Sequence, residues 1–365
     1  MRTAVIGAGV SGLVCASSLA ERGIAVTVFE SARGPGGRMS QRRERTEDGK
    51  ELCFDHGAPY FTVKDPSVCD VVDKWEGAGL VAEWKGPFGT FDVDSGKFMP
   101  QLENSMKRYV GVPGMNSICK AICHQPGRVE AKFGVTVAKL QWREEDGYWD
   151  LKGLQGEEIG QFEAVVASDK NLASPRFTIQ TGLPPPLDSA GVPELVQKMQ
   201  TMSAIPCFAV MLALSQPLTS IPVHGYTVVG SKLLSWASCD SRKPGRSKSG
   251  SECWVLHSTA EYANQIISKT GLNKPSDDIL NNVKRDLFGE FQKTVPDITS
   301  PFFMKAHRWG SAFPATNLAK DDKCLWVEKE RLVICGDFCV SPDVEGAILS
   351  GLAAASKLSK VYSTL

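Results

Sequence analysis

Arg2-Thr3-Ala4-Val5-Ile6, followed at once by Gly7-Ala8-Gly9-Val10-Ser11-Gly12, is the stretch whose reading decides the fold. The first five residues make a short, mostly apolar strand. A helix of small residues is expected from Val10 to Arg22, stopping at Gly23, and a second strand from Ile24 to Phe29. Glu30 closes that strand about 20 residues after the turn, the spacing of a dinucleotide-binding βαβ unit. Gly7 allows the tight turn, Gly9 lets the backbone between Ala8 and Ser11 approach a pyrophosphate, and Gly12 lets the helix pack close to the strand. The free N–H groups at the helix start carry partial positive charge suited to phosphate. Glu30 can accept hydrogen bonds from both ribose hydroxyls and would repel a 2′-phosphate.

Working outward, Ser31-Ala32-Arg33-Gly34-Pro35-Gly36-Gly37-Arg38-Met39-Ser40 is a loop that must run close against something. Arg38 places a cation where it can add charge beside the pyrophosphate. Composition narrows the alternatives. The chain has 365 residues, 41 basic against 41 acidic, and 42% hydrophobic content. A neutral chain without a lysine-rich tract has no electrostatic footprint for nucleic acid. No apolar run reaches the ~18–20 residues of a membrane span. Eleven scattered cysteines, with no C-x-x-C pair and no histidine at ligand spacing, read as reduced buried thiols and exclude a metal centre. They imply a reducing interior, cytoplasmic or inside an organelle.

Gly7–Gly12, Glu30 and Gly36-Gly37-Arg38-Met39-Ser40 together resemble the flavin amine oxidase superfamily, with its p-hydroxybenzoate hydroxylase-like FAD fold. Asp55-His56-Gly57-Ala58-Pro59-Tyr60-Phe61-Thr62 is similar to a segment of the renalase-like branch. Lys243-Pro244-Gly245-Arg246 and Trp254-Val255-Leu256-His257-Ser258-Thr259 extend that resemblance. The resemblance implies an α/β flavoprotein with a Rossmann-type (GR2-like) FAD-binding domain and a capping substrate domain. The capping domain would carry a mixed or antiparallel sheet with helices. The expected partition is 1–65, 105–170 and 300–365 for the discontinuous FAD domain, and 66–104 and 171–299 for the cap.

By the same resemblance Gly37, Arg38 and Met39 belong to the cofactor site, and Gly57-Ala58 runs past the flavin ring. Tyr60 and Phe61 then form either pocket walls or core. The Val137 backbone would bond the adenine, Asp337 after Gly336 would reach the ribityl–phosphate region, and the helix opening at Val344-Glu345 would point at the flavin. Reduction places negative charge along N1 and C2=O of the flavin, which a helix N-terminus stabilises. No histidine–cysteine pair of the covalent attachment type occurs, so FAD is expected to be non-covalent.

Other elements follow from pattern. A helix is expected from Asp65-Pro66 to Gly77, and two or three strands over Trp84–Met99. Another helix leads to Cys123, and Val135–Trp142 alternates as a strand that Tyr148–Leu151 pairs across Asp146-Gly147. Ala164–Ser168, Pro206–Leu214, Gly225–Val229, Leu233–Ser238 and Cys253–Thr259 are strands. Pro193–Met202, Ser276–Phe291 and Ala347–Leu358 are helices. The basic loop Asp240–Glu252 is expected as a solvated turn.

The substrate-side candidates are His307 and Arg308, with His257 a further one. Arg308 could hold an anionic group; the structural alternative has Trp309 in the core and Arg308 ion-paired at the surface. Gly310-Ser311 departs from the bulkier polar residues that follow His-Arg-Trp in the family. The implied activity is FAD-dependent oxidation of a small hydride donor, such as an isomeric dihydropyridine of NAD(P)H, with O2 as acceptor and hydrogen peroxide as product. The alternatives are a flavin amine oxidase or desaturase, and a flavoprotein without turnover. The expected partner is a small molecule, a nicotinamide nucleotide among the candidates.

Overall fold

The computed structural model describes residues 2–101, 106–125, 129–246, 250–295 and 298–363. In chain order, β1 (Arg2–Ile6), α1 (Val10–Glu21) and β2 (Ala25–Glu30) lead to a hairpin of β3 (Arg42–Arg45) and β4 (Glu51–Phe54). Helix α2 (Pro66–Gly77) starts at Asp65, whose side chain accepts from Ser67 N, with Pro66 at the first helical position. Then come β5 (Val81–Glu83), β6 (Phe88–Asp92), β7 (Lys97–Pro100), β8 (Tyr109–Gly111), α3 (Ser117–Cys123) and β9 (Val129–Phe133). A meander of β10 (Lys139–Arg143), β11 (Tyr148–Lys152) and β12 (Glu158–Phe162) precedes β13 (Ala164–Ala167), α4 (Pro175–Thr181) and α5 (Pro193–Gln200). Strands β14 (Ala204–Leu214), β15 (Gly225–Val229), β16 (Leu234–Cys239) and β17 (Glu252–Ser258) are followed by α6 (Ala260–Thr270) and α7 (Asp277–Thr294). The chain closes with β18 (Phe303–Pro314), β19 (Leu325–Val327), β20 (Leu332–Ile334), the one-turn α8 (Asp337–Val340) and α9 (Val344–Ser363).

Two sheets organise these elements. The first has the order β19-β20-β13-β1-β2-β9, parallel throughout except for the β19 edge. Its strands are nearly continuous apolar runs because helices cover it, as parallel sheets require. α1 and α9 pack backbone to backbone: a Cβ at Gly351 would collide with the Ser11 carbonyl oxygen. The second sheet has the order β18-β14-β17-β16-β15-β6-β7, antiparallel except for the β15–β6 pair. One of its faces is sealed. Phe208, Val210, Leu212, Trp254 and Leu256 pack with Val283, Leu287 and Phe291 of α7, all fully buried, at roughly 1.5–3 kcal/mol per side chain. The other face looks toward the glycine-turn layer and is only partly filled, by Leu52 and Phe54 of the hairpin against Met211, Ala213, Cys253 and Val255.

Several expectations are revised. β10 begins at Lys139 rather than Val135, because Val135 N is drawn to the Glu30 carbonyl oxygen at 3.0 Å and Gly134 turns there with φ +70°. β9 and α6 lie outside the expected elements. Residues 300–314 were expected with the FAD domain, yet β18 pairs with β14 in the second sheet from Phe303 to Pro314. Conversely Leu172, Leu187, Val196 and Met199 cluster with Ala4, Ile6 and Val165 of the first sheet, so the 171–200 stretch packs with the parallel layer. The expected boundary at 104/105 lies outside the described residues.

The basic loop is not a solvated turn. The Lys243 side chain is completely inaccessible and pairs with Asp55 at 3.1 Å and with Asp240. Arg246 donates to Asp55 Oδ2 and to the Gly111 carbonyl oxygen at 3.0 Å. Two cations thus face two buried carboxylates. Burial alone would raise the Asp55 pKa, but Lys243 and Arg246 outweigh it and hold it below the usual range. Burial and the neighbouring Asp55 push Asp240 up.

Candidate active site

The glycine turn has the shape of a phosphate cradle. Gly7 has φ +105°, a conformation side chains disfavour, and a Cβ there would lie 2.8 Å from Ser168 Oγ. A Cβ at Gly12 would collide with the Gly7 carbonyl oxygen. At Gly9 a Cβ would meet nothing within 4 Å, so the backbone faces open space at the start of α1. No acidic residue stands in the first turn of that helix and no side chain caps it. Glu30 is held in place by Ala8 N and Ala32 N, each donating to one carboxylate oxygen at 2.8 Å. Ser31 Oγ also approaches Oε1 at 3.4 Å, so Oε2 is the oxygen with a lone pair left for a ribose hydroxyl. Val137 sits just past the end of β2, between Val135, bonded to Glu30, and Ala138, whose N–H donates to Lys152 O at 2.8 Å.

Arg38 and Asp337 come together. The guanidinium donates to both Asp337 oxygens, at 2.5 and 2.6 Å, and to the Ala312 carbonyl oxygen at 2.9 Å. Arg38 therefore meets the cradle already paired, and its charge is shared. Met39 is buried under the same turn. Gly57 must be glycine because a Cβ would collide with the Arg38 carbonyl oxygen, and Ala58 N donates to that oxygen at 2.9 Å. Its close backbone approach is thus to Arg38. Gly336 leads the chain into Asp337, and its N–H donates to Ser350 Oγ at 3.0 Å. At the start of α9 the Glu345 carboxylate turns to the backbone N–H groups of Lys64 and Asp65, at 2.5 and 2.7 Å. It ties Val344 and the helix start to the 57–65 segment.

The open face of the second sheet carries a row of neighbours set by strand register. His307 and His257 flank Ala209, Trp236 lies beside His257, and Thr227 beside Trp236. His257 and Trp236, on inner strands, and His307 and Trp309, on the edge strand β18, are half-buried, as is Tyr60 in the layer above them. Partial exposure there marks a cleft between the layers. Over it lies His56, next to Gly57-Ala58, with its ring 4.9 Å from His307 and 5.0 Å from Trp309. The His56 carbonyl oxygen accepts from Trp309 Nε1 at 2.9 Å and contacts His257 Nε2 at 3.1 Å. This assigns the proton of neutral His257 to Nε2 and leaves Nδ1 an acceptor. Burial is the main cause that lowers all three imidazoles, His56 to about 3 and His257 and His307 to about 4, so all are neutral at pH 7.

Arg308 points elsewhere. Its guanidinium donates to the carbonyl oxygens of Gly271, Leu272 and Asn273 at 3.2, 2.8 and 2.6 Å, just past the end of α6. Trp309 faces the cleft, so neither half of the surface ion-pair alternative holds. Phe61 is core, 3% exposed, while Tyr60 stands 5.6 Å from Trp236. His56 and Trp236 are the members of this cleft that the sequence did not single out. His56 lies inside the quoted Asp55–Thr62 segment, the one signal that could have drawn attention to it. Among the described residues no cluster suited to a metal ion occurs.

The site fits a flavin dinucleotide on two observations. The cradle at Gly9 is open, and two buried ring nitrogens beside the cleft, His56 Nδ1 and Trp236 Nε1, have no hydrogen-bond partner. The NAD(P)-binding Rossmann-like domain profile matches residues 5–75, and the flavin containing amine oxidoreductase profile matches residues 90–359.

The chain belongs to the flavin containing amine oxidoreductase family.

The family is one of flavin-containing oxidoreductases, and its profile spans most of this chain. It is similar to protoporphyrinogen oxidase 2 of Arabidopsis thaliana, 43% identical over 72 residues, 20% of this chain and 13% of that one. It is also similar to a 4,4′-diapophytoene desaturase of Staphylococcus haemolyticus, 46% identical over 65 residues, 18% and 12% of the two chains. The chain thus matches only about an eighth of the length of these relatives. Among solved structures, an oxidoreductase from Methanosarcina mazei superposes with TM-score 0.68 at 12% identity, over 98% of this chain and 100% of that one. Wild-type putrescine oxidase bound to putrescine gives 0.66 at 10% identity, over 100% and 99%. At such identities the likeness is one of fold. Among the described residues no helix is long and apolar enough to cross a membrane, and all eleven cysteines are free.

Proposed function

We propose that this flavin containing amine oxidoreductase is a renalase-like oxidase that takes a hydride from a small dihydropyridine-type donor, such as an isomer of NAD(P)H. The observation that carries the reading is the cleft floor itself. The row His307, Ala209, His257, Trp236 and Thr227 holds neutral imidazoles and an indole and no carboxylate. A flat, neutral ring can stack on such a floor, and a polyamine finds no anion there to hold its cationic end. FAD supplies the two-electron acceptor. The donor loses a hydride and leaves as an aromatic pyridinium. Its two electrons, the hydride's proton and one proton from solvent end on O2 as hydrogen peroxide. The protein's residues orient the donor: His257 presents Nδ1 as acceptor, Trp309 and His257 fix the 56–58 peptide, and Tyr60 and Trp236 close the cleft side. No side-chain base is required for a donor that already carries a labile hydride.

Anaerobic mixing of the purified holoenzyme with dihydropyridine isomers should bleach the flavin far faster than ordinary β-NADH does. Equal or slower bleaching removes this substrate assignment. A second reading is an amine oxidase that takes a neutral amine against the exposed faces of Tyr60 and Trp236, whose tilted rings touch at 5.6 Å. Steady peroxide release with monoamines or polyamines, and none with dihydropyridines, would favour it.

A further inference from the structure

We infer that Lys170, Arg176 and Arg308 form an anion-binding site at the free edge of β18, and that it takes the phosphate of the hydride donor. The inference rests on the donor being a nucleotide. β18 is the terminal strand of its sheet, so one edge is unpaired. Three cations reach that edge around Gly310-Ser311, the point where the sequence leaves the pattern it resembles. Lys170 Nζ donates to the Ser311 carbonyl oxygen at 2.8 Å and keeps two N–H groups. A Cβ at Gly310 would stand 2.9 Å from Arg176 Nη1 and 3.8 Å from Arg308 Nε, so the missing side chain is the space the Arg176 guanidinium occupies. A bulky residue there would displace it, which gives the Gly310-Ser311 departure a physical role.

Asp337 and Asp169 offset part of the repulsion at Lys170, but neither carboxylate is hydrogen-bonded or ion-paired to any of the three cations. Arg308 is satisfied by three carbonyl oxygens only. Among the described residues the Arg176 guanidinium has no hydrogen-bond or ion-pair partner. The nearest acids are committed: Asp337 binds Arg38 in bidentate fashion, and Asp169 accepts from Asn171 N at 2.9 Å. Lys170 is lowered to about 8 by burial and then by Arg38, while burial and Arg176 lower Arg308. Like charges left to repel one another at a half-buried edge are stabilised by an anion, and a guanidinium fork beside an ammonium suits phosphate oxygens. His307, whose ring faces the cleft on the same strand, also senses Arg176. Gly310 lies three residues along β18 from His307, roughly 10 Å at the rise of a strand. A dihydropyridine nucleotide spans that distance; a free dihydropyridine base does not use it.

The test uses FAD-loaded protein and two readouts. Inorganic pyrophosphate is titrated calorimetrically into the wild type, Arg176→Gln and Arg176→Lys. In parallel, flavin reduction is followed with a dihydronicotinamide isomer as its mononucleotide and as its uncharged riboside. Pyrophosphate should bind the wild type, weaken about tenfold or more in Arg176→Gln, and be largely restored by Arg176→Lys. The preference for mononucleotide over riboside should shrink by a similar factor. Unchanged pyrophosphate affinity, or an unchanged preference, overturns the inference. Loss of FAD from Arg176→Gln also overturns it, since the anion would then be the cofactor's own diphosphate. If no dihydropyridine reduces the flavin but pyrophosphate binding still depends on Arg176, the anion site stands and the donor reading falls.

Discussion

Replacing Lys243 by methionine tests the buried ion cluster that anchors the 55–58 segment. In the wild type Lys243 and Arg246 face Asp55 and Asp240, and the side chains are 0–5% exposed. Removing one cation leaves two carboxylates against a single guanidinium in a fully buried site. Breaking a buried ion pair in this way costs about 3–5 kcal/mol. With an unfolding entropy near 2.1 cal/mol/K per residue, a chain of 365 residues loses roughly 1.3 °C per kcal/mol, so the melting temperature should fall by about 4–7 °C. The double variant Lys243→Met/Asp240→Asn restores neutrality and should recover a large part of that loss. Differential scanning calorimetry of the four-member cycle, at fixed FAD concentration, measures both. If Lys243→Met melts with the wild type, or the two substitutions add without recovery, the charge-balance reasoning is refuted.

Gly12→Ala should lower the bound flavin per chain severalfold, because its Cβ strikes the Gly7 carbonyl oxygen and forces α1 off the cradle; the visible-to-ultraviolet absorbance ratio of purified protein reads this. Trp309→Phe removes the N–H that donates to the His56 carbonyl oxygen. It should cost about 0.5–1.5 kcal/mol of stability and slow flavin reduction more than it weakens donor binding, as stopped-flow kinetics would separate. The three histidines predict an acid limit. Their folded pKa values, about 3 for His56 and about 4 for the others, lie below the ordinary histidine value of about 6.5, so the unfolded chain binds more protons between those values. Their contribution is complete above pH 6.5 and is lost as the pH falls toward 4, at up to roughly 1.4 kcal/mol per pH unit for each imidazole. His307→Asn should flatten the dependence of the melting temperature on pH in that window, and an unchanged slope would contradict the assignment.

The glycine turn and the parallel layer were legible because their determinants are local. Gly7, Gly9, Gly12 and Glu30 act through turn geometry and a helix start within thirty residues, and the apolar runs of β1, β2 and β13 announce a covered parallel sheet. The rest depends on partners far along the chain. Lys243 reads as a loop cation until Asp55, 188 positions away, is seen beside it. Arg38 reads as a free phosphate ligand until Asp337 pairs with it across 299 positions. Arg308 carries a charge that suggests an anion, yet its contacts are carbonyl oxygens past α6, an element whose start at Thr259 follows a strand without a break. Nothing in the composition of β18 announces its sheet; only its pairing with β14 reveals it. His56 and Trp236 join the cleft through register and packing, which alternation within one strand does not contain.

The proposed function requires the flavin ring to lie in the cleft beside the His56-Gly57-Ala58 peptide, which itself rests on His257 and Trp309. A crystal structure of the holoenzyme tests it most directly. The account predicts electron density for the isoalloxazine in that cleft, in contact with the Gly57-Ala58 peptide and at least one side chain of the row His307–His257–Trp236, and with the diphosphate over Gly9. Density for the ring elsewhere, such as the separate 620 Å³ cavity between Arg43, Cys53, Ser241 and Cys253, would contradict it.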